Sequence, residues 1–486
     1  MDPLEQRRRA GEKKFRVSSA RKAAYEILSR VESRQNFASD LLQTRLMGLR
    51  ADDRRLLTEL VMGVLRWQGE LDYQIERLSG KPLSYFDPEI TIILRLGIYQ
   101  IRFLQKVPKP AAVNEAVKLV KAARKGSAAG LVNAVLRKCR PAPRPPGATM
   151  SAGGRHRVGI HRADPEILEG ACRSVPKWVL ERWEQHFGSE PARSLALAST
   201  EIPPTTLRVL GGATQVKEMQ SRLASAEVQT RPGRYAETAL VVESGDIHSS
   251  EIWREGQVVI QDEASQLVST LVAPRPGQHV LDVCAAPGMK TGQLAAAMGR
   301  GVLVASDLSA RRLRTIARLL SAPPGVLLHI VRLDATNDLP FRAAFDRILL
   351  DAPCSGTGTL ARNPEIKSRI LPHDLKRLQA AQRAMLGNAL KVLAPGGRLV
   401  YATCSLEPEE NEQVVETVLE SCAGFRALVR DELLQEFPRL AELFDQKGYF
   451  RTRPDLHGMD GFFAAVIRPR ESSGQRHIKT PYFSLW

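Results

Sequence analysis

Two cysteines frame the chemistry this chain could do. Cys354 lies in DAPCSGTG at 351–358 and Cys404 in YATCSLEPEENE at 401–412. Each stands just past an apolar run of strand character, FDRILLD and GRLVYAT. If those strands adjoin, both sulfurs and the Asp351 carboxylate converge on one pocket. A lone cysteine is usually an inert apolar residue, the reading that suits Cys139, Cys172 and Cys422. Cys354 and Cys404 instead stand where ligands bind in an open parallel sheet, beyond the carboxyl ends of its strands. A thiolate there suits nucleophilic catalysis, which splits one hard step into two. One reaction that needs it is alkylation of a pyrimidine at carbon 5. Thiolate addition at C6 turns the ring into an enamine, and C5 can then attack an electrophilic methyl group. The thiol must ionise, which calls for a nearby cation or a helix N-terminus; Lys290 is the candidate cation. A protonated Asp351 would donate to N3 of a cytosine.

The same sheet end carries a candidate nucleotide site. The run HVLDV feeds the turn CAAPGMK, and Ala285, Ala286 and Gly288 are small enough for the backbone to pass close to a ligand. Asp307 ends the next strand, where a carboxylate can accept from ribose hydroxyls. Asp334 ends the third, where an adenine would lie. The GxGxxG fingerprint of dinucleotide enzymes is absent from this turn.

The elements that must hold these residues alternate strand and helix from about residue 261. Continuous apolar strands between helices specify a mostly parallel sheet covered on both faces. Residues 18–139 are instead all-helical in pattern. SSARKAAYEILSRV opens on serine caps, and DPEITIILRLGIYQIRFL opens on an aspartate cap with proline in the first turn. Residues 140–159 are rich in Pro, Gly and Arg without periodicity and read as a linker. A small α+β module occupies 203–260. The expected division is a helical domain over 1–140, a linker over 141–174, an α+β module over 175–260, a catalytic domain over 261–470 and a tail over 471–486.

The 486 residues carry a formal net charge of +17. The excess is concentrated at the start, where residues 1–140 hold 28 Lys and Arg against 15 Asp and Glu. A polyanion partner follows, because neutralising phosphates releases counterions. Six cysteines without a CxxC pair indicate neither a zinc site nor a disulfide framework, and read as reduced thiols of a cytoplasm. No apolar run is long enough to span a membrane, and the polar start lacks a secretory signal. Nothing demands more than a monomer.

LDVCAAPGMKT, DAPCSGTGTL and YATCSLEPEENE resemble motifs I, IV and VI of the S-adenosylmethionine-dependent RNA cytosine-5 methyltransferases, and VIQDEASQLV resembles the helix before motif I. The helical start, with AAYEIL and ELVMGVLRW, is similar to the NusB-like RNA-binding domain of the bacterial 16S rRNA branch, the Sun/Fmu (RsmB) family. The resemblance implies a NusB-like helix bundle, a small α+β RNA-binding module and a Rossmann-like class I methyltransferase domain. It implies S-adenosyl-L-methionine as cofactor and 16S rRNA as partner, with no metal. It casts Cys404 as nucleophile and Cys354 as the aid to product release. Cys284, Ala285, Ala286, Pro287, Gly288, Met289 and Lys290 would hold the methionine part of the cofactor. Asp307 and Asp334 would hold ribose and adenine, and Asp351 would contact cofactor and base. Met289 replaces the family's usual second glycine, and RNPEIKSR at 362–369 departs from the family pattern where substrate contacts are expected.

Two other functions fit the same residues: this chemistry on transfer RNA or another RNA, and a non-catalytic RNA-binding assembly factor that keeps the fold. The intact Cys404, Cys354, Asp351 and Lys290 weigh against the second. DNA cytosine methyltransferases attack with the Pro-Cys thiol, so the two sulfurs could also exchange roles.

Overall fold

The computed structural model describes residues 17–34, 37–46, 48–143, 163–320, 322–342 and 344–470. The expected tail at 471–486 and most of the linker lie outside the described residues. The chain divides into two compact units. One runs up to Ile202 and adds Leu360–Ile370; the other comprises Pro203–Thr359 and the chain from Leu371 onward.

The first unit is helical. Helix Pro88–Phe103 is buried on all sides from Ile90 to Arg102, as expected of a helix apolar all round. Helices Ser19–Glu32 and Ala51–Arg66 lay apolar stripes against this core through Ile27, Leu28, Leu57, Leu60 and Val61. Among its buried charges, Arg95 bridges Asp72 and Glu32 at 2.6 and 2.8 Å. The expected side-chain caps do not form. Asp87 bonds instead to Lys125 Nζ at 2.7 Å, and Ser18 Oγ accepts from Arg21 at 3.0 Å. In each case a cation in reach outcompetes the backbone N–H.

Helix Pro165–Arg173 occupies part of the stretch that reads as linker. Asp164 accepts from Glu166 N, Pro165 starts the first turn, and Ile167, Leu168, Ala171 and Cys172 are buried. Two turns are too short for the period to stand out. Helices Lys177–Phe187 and Ser189–Ala198 follow it in this unit.

Residues 360–370 also fold into the helical unit. Ala38 N donates to Glu365 Oε1 at 2.8 Å, and Arg66 Nε donates to Ala361 O at 2.8 Å. Lys367 Nζ donates to the carbonyls of Arg66 and Ser199 at 2.9 and 3.3 Å. Burial, with Arg66 adding repulsion, pushes Lys367 down to about 7.

The second unit holds two sheets. β1 (Thr206–Val209), β2 (Gln229–Pro232), β3 (Ala239–Ser244) and β4 (Val258–Ile260) form an antiparallel sheet in the order β2-β3-β1-β4. The larger sheet contains β5 (His279–Asp282), β6 (Arg300–Asp307), β7 (Gly325–Arg332), β8 (Phe345–Asp351) and β9 (Leu393–Thr403), all parallel. β10 (Phe425–Ala427), β11 (Phe450–Arg451) and β12 (Phe463–Pro469) add antiparallel pairings on the β9 side. The order β7-β6-β5-β8-β9 reverses direction at β5. The crevice beyond the carboxyl ends of β5 and β8 is therefore the topological switch point, where open sheets bind ligands. Glu263, at the start of helix Glu263–Val272, ties the smaller sheet's loop to this domain by accepting from Tyr235 N and Ala236 N.

Candidate active site at the switch point

The turn after β5 is opened by Gly288, whose φ of +106° lies in the left-handed region that favours glycine. It leads into helix Met289–Met298 and places Lys290 in that helix's first turn. A pocket there is lined by Asp282, Cys284, Ala285, Ala286, Pro287, Met289, Lys290 and Asp351. Lys290 Nζ donates to Asp351 Oδ2 at 2.8 Å, joining the loop after β5 to the end of β8. Burial opposes the charge on Lys290, but Asp351, and beyond it Cys404, outweigh burial and raise its pKa above the ordinary value. Asp351 Oδ2 thus accepts from Lys290, which leaves Oδ1 as the oxygen available to a base.

Asp282 is fully enclosed, and burial pushes it up to about 7, although Thr291 Oγ1 donates to it at 2.7 Å. Burial also raises the Cys284 thiol, with Asp282 and Asp351 adding to the effect. Asp307 ends β6, where it accepts from Ser309 N at 2.8 Å and pairs with Arg312 at 3.0 Å. Asp334 lies two residues past β7 rather than at its end. Thr336 donates to it twice, and the side-chain bond, followed by the backbone bond, holds its pKa below the usual carboxylate value. The pocket lining contains neither Asp307 nor Asp334.

β8 and β9 adjoin, and the sulfurs of Cys354 and Cys404 are 3.3 Å apart. Both thiols are half-buried and free. The contact with Cys404, then burial, then repulsion from Glu410 and Asp351 raise Cys354 well above an ordinary thiol. The loops are locked by backbone as well: Gly358 N donates to Cys404 O at 3.0 Å. By contrast, Cys139 is 1% exposed and burial pushes it up to about 11, as befits an inert thiol.

Comparison with known proteins gives this geometry its family. The model of the 16S rRNA methyltransferase RsmB/F family matches residues 269–468, the NusB family model matches 18–141, and a ferredoxin-like domain of RsmF/B-like methyltransferases matches 175–248. The probable ribosomal RNA small subunit methyltransferase B of Bacillus subtilis is 30% identical over 94% of this chain and all of its own length. The chain belongs to the RsmB/F family of 16S rRNA methyltransferases.

Other relatives agree. The ribosomal RNA small subunit methyltransferase B of Pseudomonas putida is 33% identical over 92% of this chain and 98% of its own. A methyltransferase homologue from Pyrococcus horikoshii, solved as a crystal structure, is 32% identical with a TM-score of 0.53, covering 63% of this chain and 100% of its own. The protein is accordingly an S-adenosylmethionine-dependent rRNA methyltransferase with a NusB-like helical start. Among the described residues no helix is long and apolar enough to cross a membrane, and no cluster of metal-ligating side chains occurs.

The pocket suits the cofactor that this family implies. S-adenosylmethionine carries a sulfonium cation, and the carboxylates of Asp282 and Asp351 line the pocket beside a turn of small residues. Two features were missed from the sequence. Glu410, in the acidic stretch EPEENE, lies buried and bonded to both cysteine loops. RNPEIKSR, which departs from the family pattern, folds with the helical unit, where Glu365 and Lys367 find backbone partners.

Proposed function

We propose that the protein methylates carbon 5 of a cytosine in 16S rRNA through a covalent bond between Cys404 and C6. The observation that carries this reading is the 3.3 Å approach of Cys354 and Cys404 beside the Lys290–Asp351 pair. Cys404 is the attacking thiolate, with Lys290 as the cation of the site. Asp351, hydrogen-bonded to Lys290, faces both the base and the cofactor pocket. Cys284 to Lys290 form the wall of that pocket, with Asp307 and Asp334 on the ribose and adenine side. The bound S-adenosylmethionine supplies an electrophilic methyl group, which C5 receives. Once Cys404 is bonded to carbon, its thiol–thiol contact with Cys354 ends. Cys354, after losing its proton to solvent, accepts the C5 proton, and Cys404 leaves as thiolate.

The target base must leave its stack to reach a sulfur at a sheet end, so a single-stranded or flipped nucleotide is the substrate form. The basic helical unit grips phosphates and the sheet domain does the chemistry. The protein acts in the cytoplasm as a monomer. The test is bisulfite mapping of 16S rRNA incubated with the protein and cofactor. One new protected cytosine is expected, and methyl incorporation elsewhere in the molecule or on another RNA class overturns the assignment.

A further inference from the structure

Glu410 collects hydrogen bonds from both cysteine loops. Ser355, which follows Cys354, donates its backbone N–H to Glu410 Oε1 at 2.8 Å and its hydroxyl to Oε2. Ser405, which follows Cys404, donates its hydroxyl to Oε2 at 2.5 Å. Gln382 donates to Oε1 at 3.0 Å and to the Pro353 carbonyl at 2.9 Å. The two serine hydroxyls are themselves 3.0 Å apart. Glu410, Ser355, Ser405 and Gln382 are all buried, Glu410 and Gln382 with no exposure. Glu410 touches neither sulfur and does not line the cofactor pocket.

We infer that Glu410 is a positioning residue: its carboxylate clamps the loops after β8 and β9 through Ser355 and Ser405 and so sets the spacing of Cys354 and Cys404. This rests on the reading that Cys404 attacks and Cys354 aids release. A carboxylate accepts at both oxygens, which matches the donors converging on it. Burial raises its pKa while the two serines and Gln382 oppose that rise, which is the balance expected of an enclosed acceptor held by donors. Its negative charge also helps keep Cys354 protonated. The amide of glutamine has the same shape but presents N–H groups to one set of these donors, so the clamp loosens without a change of volume.

The test is Glu410→Gln in the full chain, read by two measurements. The first is the rate at which diamide, an azo compound that takes up the two electrons and two protons the thiols lose, links Cys354 to Cys404 as a disulfide. Mass spectrometry of the linked peptide follows it, and it needs no RNA. It should slow about tenfold in the variant, while cofactor affinity stays near that of the native protein. The second is methylation: kcat should fall about 100-fold with KM for RNA little changed, as a displacement of about 1 Å would produce. Native-rate crosslinking, or slowed crosslinking with undiminished kcat, overturns the inference. If the native protein methylates no RNA, the functional reading fails, but the crosslinking rates still decide the clamp. If Glu410→Gln does not fold, Ser405→Ala removes one arm, and a native crosslinking rate in that variant overturns the inference as well.

Discussion

Lys290 Nζ lies 2.8 Å from Asp351 Oδ2, and this ion pair spans the strand-order reversal between β5 and β8. Both side chains are largely enclosed, at 15% and 26% exposure. Removing either partner leaves the other as an uncompensated charge. Asp351→Asn and Lys290→Met should each cost roughly 3 kcal/mol of stability. The double variant Lys290→Met with Asp351→Asn should recover part of it. Urea unfolding of the four proteins checks this, and methylation should stay lost in all three variants.

The two thiols should separate in a trapping experiment. Cys354→Ala, able to add but slow to release, should accumulate a protein–RNA adduct stable to denaturing electrophoresis. Cys404→Ala should form none. The opposite pattern exchanges the two roles.

Burial pushes Asp282 up to about 7 from its ordinary value of 3.8. Between these values the folded protein binds the extra proton, so stability from this group falls as pH rises from about 4 to 7. A bound sulfonium favours the ionised form. Cofactor affinity should therefore weaken below pH 7, by at most about tenfold per pH unit. Calorimetric titration from pH 5.5 to 8.5 checks the trend, and Asp282→Asn should flatten it.

Lys367 gives the opposite slope. Its pKa falls from 10.5 to about 7 on folding, so above pH 7 the unfolded chain binds more protons than the folded one. Its contribution should raise stability with pH from about 7 to 10, by up to about 1.4 kcal/mol per pH unit. Urea unfolding of the native protein against Lys367→Met, at pH 7 and pH 9, isolates the difference.

Gly358 is packed backbone to backbone: a Cβ placed there would come within 2.1 Å of Gly461 O. Gly358→Ala should cost about 2–3 kcal/mol and shift the loop after β8. Thermal unfolding together with the diamide crosslinking rate should report both effects.

The sheet and its loops were legible because the chemistry there is local. DAPC and YATC each put a cysteine right after an apolar strand, and CAAPG exposes backbone between a strand and a helix. The helix bundle was legible from period alone, through positions such as Leu57, Leu60, Val61 and Val64. Glu410 was not, because two of its donors, Ser355 and Gln382, lie 55 and 28 residues earlier in the chain. The caps at Ser18 and Asp87 misled because Arg21, one turn on, and Lys125, 38 residues on, compete for the same oxygens. Glu365 and Lys367 look like surface charges in RNPEIKSR, and only the backbone groups of Ala38, Arg66 and Ser199 show why they go inside.

The chain leaves the catalytic unit after Thr359, only five residues past Cys354, threads through the helical unit and returns at Leu371. The two units are therefore not interchangeable cassettes. A gene fusion joined at residue 202 would supply the helices without the strand of chain they enclose, and a lone catalytic fragment would carry Glu365 and Lys367 with no partners to receive them. Swapping the helical portion of such an enzyme requires exchanging two separated stretches of sequence together.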